Sequence, residues 1–277
     1  MRTITLGHSP DADDAFMFYA LARNKIDTGG LRFVHELCDI QTLNERAHRG
    51  ELDVTALSVA AYPSVASLYN VMSCGASIGD GYGPIVVATR PMTKSQLAVR
   101  RIAIPGELTS AFLALRLYLG EFQFCVVPFD KIFDAVKRGE ADAGLIIHEG
   151  QLTYAHEGFR CVMDLGRWWK RETGLPLPLG VNGIRRSLGA PLCRQINKIL
   201  RESIRYGLEH RREAVAHARK FGRGLDRAKA NKFIGMYVND FTVDLGSRGR
   251  LGIREFLRRG RSAGLFPSIP PVKFVKR

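Results

Sequence analysis

Apolar residues recur along this chain in two rhythms. Short, largely apolar runs at residues 4–6, 85–88, 102–104 and 144–147 are rich in isoleucine and valine. Their length and branching predict buried strands, chiefly of a parallel sheet. Between and after them, apolar positions spaced three and four apart predict helices, at residues 15–21 and 111–115 and, amphipathically, at 196–208 and 229–237. Strands alternating with helices imply an α/β fold.

Two stretches echo each other. The first runs from the strand at residues 4–6 through the turn His8-Ser9-Pro10 to Asp11, Asp13 and Asp14, then into an apolar helix. The second runs from residues 102–104 through Pro105-Gly106-Glu107-Leu108 to Thr109 and Ser110, then into Ala111-Phe112-Leu113. Asp13 or Asp14 in one copy, and Thr109 or Ser110 in the other, are the expected N-caps. Downstream, Arg49-Gly50-Glu51-Leu52-Asp53-Val54 precedes a strand closing on Ser58, and Arg138-Gly139-Glu140-Ala141-Asp142-Ala143 precedes one closing on His148. Gly50 and Gly139 each stand where a helix ends. Two like units imply two lobes, with residues 1–88 plus 181–277 forming one and 89–180 the other. Hinges are expected at residues 88–90 and 179–182, and the tail from about Pro191 packs back on the first lobe.

Open sheets of this kind bind ligands beyond the carboxyl ends of their strands, where helix N-termini also point. Ser58, His148 and the two capped loops are all at such ends and are expected to converge on one interlobe cleft. A histidine there has an ordinary pKa suited to proton transfer at neutral pH, and the echo places it at the station of Ser58. Ser58 is not in a G-x-S-x-G elbow, so it reads as a hydrogen-bond donor rather than a nucleophile. Thr109 and Ser110 offer hydroxyls and backbone N–H groups to an anion. The glycine loop Gly79-Asp80-Gly81-Tyr82-Gly83-Pro84 lacks P-loop spacing; Tyr82 and Gly83 are its cleft-lining candidates. Asp11, Asp13 and Asp14 read as complements to a helix start, not as metal ligands.

Composition narrows the class further. No window approaches the roughly 18 to 20 apolar residues of a membrane span, and the first residues carry no apolar signal-peptide core, so a cytoplasmic location is expected. Five scattered cysteines without CxxC spacing give neither a zinc site nor a disulfide framework. The net charge of +14 lies mostly beyond Arg185, on predicted helices: Arg201, Arg205, Arg211, Arg212, Arg219, Lys220, Arg223, Arg254, Arg258, Arg259 and Arg261. No base-reading motif accompanies it, so solvated helix faces are expected rather than a nucleic-acid partner. The sequence carries no signal for oligomeric state.

Several segments together resemble a known family. Leu6-Gly7-His8-Ser9-Pro10, Gly81-Tyr82-Gly83-Pro84, Thr109-Ser110-Ala111-Phe112-Leu113, Leu175-Pro176-Leu177-Pro178-Leu179-Gly180, residues 237–246 and above all Ile146-Ile147-His148-Glu149-Gly150 are similar to the futalosine-pathway menaquinone biosynthesis family, in its 1,4-dihydroxy-6-naphthoate synthase branch. The resemblance covers nearly the whole chain. It implies a fold like type II periplasmic binding proteins, a cofactor-independent carbon–carbon lyase, and a small carboxylated substrate, cyclic dehypoxanthine futalosine. By the same resemblance His148 is the general base, Thr109 and Ser110 hold substrate oxygens, and Ser58 with Asp11 lines the opposite wall. Where the family carries Ser-Pro-Cys-Pro-Asn-Asp-Thr-Phe, this chain has Ser9-Pro10-Asp11-Ala12-Asp13-Asp14-Ala15-Phe16, which adds negative charge to that wall. A non-catalytic solute-binding protein of the same fold and a chorismate dehydratase-like enzyme are the alternatives left open.

Overall fold

The computed structural model describes residues 2–222 and 226–276; Arg223, counted above among the basic residues, lies outside them. Eleven strands form two sheets. In chain order they are β1 (Arg2–His8), β2 (Leu31–Leu37), β3 (Val54–Ser58), β4 (Tyr69–Val71), β5 (Ser77–Gly79), β6 (Ile85–Ala88), β7 (Arg101–Ile104), β8 (Gln123–Val126), β9 (Ala143–Ile146), β10 (Arg160–Asp164) and β11 (Leu177–Arg185). The first sheet runs β2-β1-β3-β11-β4, with β5 also on β11; the second runs β10-β6-β9-β7-β8.

The two halves share one topology. β1 lies between β2 and β3, parallel to both, as β7 lies between β8 and β9. Next to β3 runs β11 and next to β9 runs β6, each antiparallel. These two antiparallel strands are exchanged: β6 comes from the first half of the chain but completes the second sheet, while β11 returns from the second half to complete the first. The passages between lobes therefore fall within residues 80–84 and at the entry to β11 near residue 177. The boundaries read from sequence, 88/89 and 180/181, are each displaced by a few residues, because an apolar run signals burial without saying in which sheet.

Local chemistry explains the turns. Gly50 and Gly139 both have positive φ, 62° and 74°, just after helices that end at Arg49 and Arg138. Thr109 caps the Ser110–Leu119 helix by accepting from Phe112 N at 3.2 Å. In the first half the cap residue is Asp11, without a side-chain cap bond, and Asp13 and Asp14 sit inside the first turn of Ala12–Met17. That corrects the expected capping roles and leaves both carboxyls for other uses.

The C-terminal part is helical as expected. Ala190–Glu209, Arg211–Ala218 and Arg227–Tyr237 surround Ala12–Met17 on the first lobe. Gly246–Ser262 departs from the expectation, since it touches both β11 and the second-lobe helix Ser110–Leu119. Arg254, Arg258 and Arg261 are exposed, and Arg258 and Arg259 pair with Glu255. The glycine loop is tied down: Asp80 pairs with Lys170 at 2.6 Å and with Arg248 at 3.1 Å. Gly83 lies against Gly166, where a Cβ would overlap the Tyr82 carbonyl. Gly166→Ala must therefore push the passage between the lobes aside. It is expected to cost roughly 2–3 kcal/mol of unfolding free energy, measured by urea denaturation; a stability equal to the parent's would show that this contact yields freely.

Candidate functional site

The carboxyl ends of β1, β3 and β7 converge on one cavity, with β11 running past it. Its walls include Asp13, Asp14, Ser58, Ser110, Ile147 and Asn182. Its volume is about 120 Å³, well below the roughly 300–1,000 Å³ of sites that hold drug-sized ligands. The lobes are joined around it. Ser110 Oγ donates to Leu179 O (2.5 Å) and accepts from Ala60 N (3.1 Å). Asn44 Nδ2 donates to Leu108 O (3.4 Å), and Leu108 N donates to Gln41 Oε1 (3.0 Å). A full-sized ligand enters only if these bonds open.

The donor-bearing wall is built from β3 and from the start of the Ser110–Leu119 helix. Ser58 is buried, its N–H donates to Asn44 Oδ1 (2.8 Å), and its Oγ accepts from Asn44 Nδ2 (3.0 Å). The hydroxyl proton of Ser58 is thereby left for another acceptor. Thr109 lines the cavity, but its hydroxyl donates to Gly106 O (2.8 Å) and accepts from Phe112 N. Its role is the cap. What the helix start offers a ligand is the N–H groups of Ser110 and Ala111, which helix geometry leaves without an intrahelical acceptor, at the positive end of the helix.

The opposing chemistry comes from the loop after β1. Ser9 N donates to Asp14 Oδ2 (2.7 Å) and Ser9 Oγ donates to Asp11 Oδ2 (3.2 Å). Asp11, Asp13 and Asp14 all line the cavity. Burial pushes the Asp14 carboxyl up to about 7 against the bond from Ser9, and the charge of Asp11 adds to the rise. Asp13 is also held well above the usual carboxylate range, by burial and then by the charges of Asp14 and Asp11.

His148 is placed differently from the expectation. β9 ends at Ile146, and Ile147, not His148, lines the cavity. Register explains this. The Arg-Gly-Glu echo aligns Val54 with Ala143, so four residues further on Ser58 answers to Ile147. Successive residues at a strand end point to opposite sides, and His148 points to the side away from Ile147. Its imidazole is buried between Phe129 and Phe133, Nδ1 accepts from Gly150 N (3.0 Å), and Nε2 donates to Phe129 O (3.1 Å). An Nδ1 that accepts a backbone N–H puts the ring proton on Nε2. Tyr82 and Gly83 also stand outside the cavity, which only Pro84 of that loop reaches. The Tyr82 hydroxyl donates to Met236 O instead.

The menaquinone biosynthesis family profile matches residues 4–262. A 1,4-dihydroxy-6-naphthoate synthase of Thermus thermophilus is 38% identical over 275 residues, 99% of this chain and 100% of that protein. The chain belongs to the menaquinone biosynthesis family. Within and around this family the fold recurs: a solved Archaeoglobus fulgidus protein, 45% identical, superposes with a TM-score of 0.92 over 95% of this chain and 98% of its own. A Candida albicans protein described as having the generic periplasmic binding protein fold has a TM-score of 0.75, covering 100% of this chain and 98% of its own, at 12% identity. That likeness shows the fold: a two-lobed, periplasmic-binding-protein-like α/β architecture. No helix among the described residues is long and apolar enough to cross a membrane.

Two cavity residues, Asn182 and Tyr237, and Asn44, which holds Ser58 from behind, went unnoticed as such in the sequence. Asn44 breaks the apolar stripe of Ile40, Leu43 and Ala47 on one helix face, which is a readable sign of a buried polar role. Asn182 interrupts a buried strand in the same way. Tyr237, whose hydroxyl donates to Gln151 Oε1 at 2.8 Å, looks like any core aromatic.

The Asp14 shift makes a prediction about stability. Its folded pKa of about 7 lies above the ordinary 3.8, so between these values the native state keeps a proton that the unfolded chain has lost. The contribution of Asp14 to stability is intact below about pH 4 and declines as pH rises through about 7. Asp14→Asn keeps an oxygen for Ser9 N and removes this decline. The variant is expected to exceed the parent by roughly 1–4 kcal/mol at about pH 8 and to match it at about pH 4, in urea unfolding at both values. A gap independent of pH would refute the assignment.

Proposed function

We propose that this chain is a cytoplasmic lyase that cleaves cyclic dehypoxanthine futalosine, releasing 1,4-dihydroxy-6-naphthoate and a sugar-derived fragment. The observation that carries the reading is 38% identity, over the full length of both chains, to a 1,4-dihydroxy-6-naphthoate synthase. The cavity agrees with a carboxylated substrate: the Ser58 hydroxyl and the N–H groups at the start of the Ser110–Leu119 helix suit a carboxylate. His148 is the proposed general base. In the closed arrangement both ring nitrogens are engaged, so the role requires Nε2 to leave the Phe129 carbonyl and shed its proton before it accepts one from substrate. Phe129 and His148 lie on the same lobe, so parting of the lobes does not separate them, and the exchange takes a local movement of the Phe129 carbonyl when substrate binds.

Incubation with cyclic dehypoxanthine futalosine, with chorismate in parallel, tests the activity. Release of 1,4-dihydroxy-6-naphthoate from the first and no reaction of the second is expected. Tight binding without product would mark a binding protein, and loss of water from chorismate the sister activity. His148→Asn is expected to lower turnover at least ~100-fold with binding retained; undiminished turnover would remove His148 as the base.

A further inference from the structure

The walls of the cavity differ in hydrogen-bonding sense, and one residue shows what the acidic side is built for. Asn182 is buried, 2% exposed, in β11. Its Nδ2 donates to Gly75 O (2.9 Å), and Gly75 packs so closely that a Cβ there would overlap the amide. The Gly75 carbonyl fixes which end of the amide is which, since a flipped side chain would set two oxygens against each other. Oδ1 is therefore an acceptor, and among the described residues it has no hydrogen-bond partner. An acceptor buried in this way costs about 1–3 kcal/mol if nothing donates to it. Asn182 lines the same cavity as Asp13 and Asp14, whose carboxyl oxygens accept even in the protonated form that burial favours. No arginine or lysine lines this cavity.

We propose that Asp13, Asp14 and Asn182 Oδ1 form an acceptor pole that takes the hydroxyl groups of the substrate, while Ser58 and the start of the Ser110–Leu119 helix take its carboxylate. The cavity thus selects a ring that carries both groups and fixes which way round it lies. This deepens the lyase reading above and rests on it for the identity of the natural substrate. Orientation follows from charge: a substrate carboxylate is attracted to the positive end of the helix start, and no cation on the acidic side competes for it.

Shikimate and cyclohex-1-ene-1-carboxylate test the pole, because they share a ring and a carboxylate and differ in the ring hydroxyls. Calorimetric titration of the whole protein is expected to show shikimate binding at least about tenfold more tightly, the equivalent of one well-made hydrogen bond. Asn182→Ala and Asp13→Ala should each reduce that preference to about twofold or less, by weakening shikimate more than the deoxy probe. Asp13 is half-buried and faces the cavity, so its variant keeps the test valid if Asn182→Ala unfolds. Equal affinities, no binding of either probe, or an undiminished preference in the Asp13 variant would overturn the pole. Product release from cyclic dehypoxanthine futalosine by the parent protein, measured alongside, judges the lyase reading separately. A preference without product leaves the pole standing and sinks the substrate assignment, and product without a preference does the reverse.

Discussion

Backbone hydrogen bonding dictates where this chain can pass between its lobes, and the site follows from that. A buried strand needs partners on both sides, and the strand beside β3 and the strand beside β9 are each supplied by the other half of the chain. The two lobes cannot be pulled apart without unpairing β6 or β11, but they can rotate about the short segments that lead into them. Because β1, β3 and β7 all end at the same junction, the residues following them face one another across whatever gap that rotation leaves. Convergence of the site is thus a consequence of strand exchange rather than of any attraction between the functional residues.

Within the gap, polarity is arranged by backbone as much as by side chains. Thr109 contributes as a cap, its hydroxyl fully occupied by Gly106 and Phe112, and in doing so it aims the helix start at the cavity. Ser58 is held by both ends of the Asn44 amide, which sets its rotamer and leaves a donor. Against these stands the loop after β1, where Ser9 holds Asp14 and Asp11 in place. The raised pKa values there reflect burial first and then the neighbouring carboxyls, with no cation among the cavity's lining residues, an arrangement that costs stability.

The sequence shows the architecture well and the orientation of side chains poorly. The repeated Arg-Gly-Glu segments and the twin strand–loop–helix units revealed two like lobes, because glycine at a positive φ and a capped apolar helix are local features. Sheet membership of residues 85–88 was not legible: their burial is the same whichever lobe they complete. His148 was assigned to the station of Ser58 because both close an apolar run, yet the Arg-Gly-Glu echo itself, counted residue by residue, aligns Ser58 with Ile147. One residue of offset reverses the side of a strand. Asp13 and Asp14 were read as caps because acidic residues favour a helix start; that Asp11 holds the cap position depends on where the turn after Pro10 begins, a backbone matter.

Motion and chemistry are coupled in this arrangement. Closure is sealed by the Ser110 bonds to Leu179 and Ala60 and the Leu108 bonds to Asn44 and Gln41. At about 0.5–1.5 kcal/mol net for each bond, hydration of the freed groups included, the seal amounts to roughly 2–6 kcal/mol. An open form is then a minor but accessible population. A carboxylate arriving at the start of the Ser110–Leu119 helix meets the residue that carries two of these bonds, so ligand binding and lobe closure act on the same atoms. If His148 is to become a base, its Nε2 has to exchange the Phe129 carbonyl for the substrate while the cavity is open and close again with it in place. Closure would then be selective in its own right: only a ligand that satisfies the buried groups, Asn182 Oδ1 among them, repays the desolvation that resealing demands.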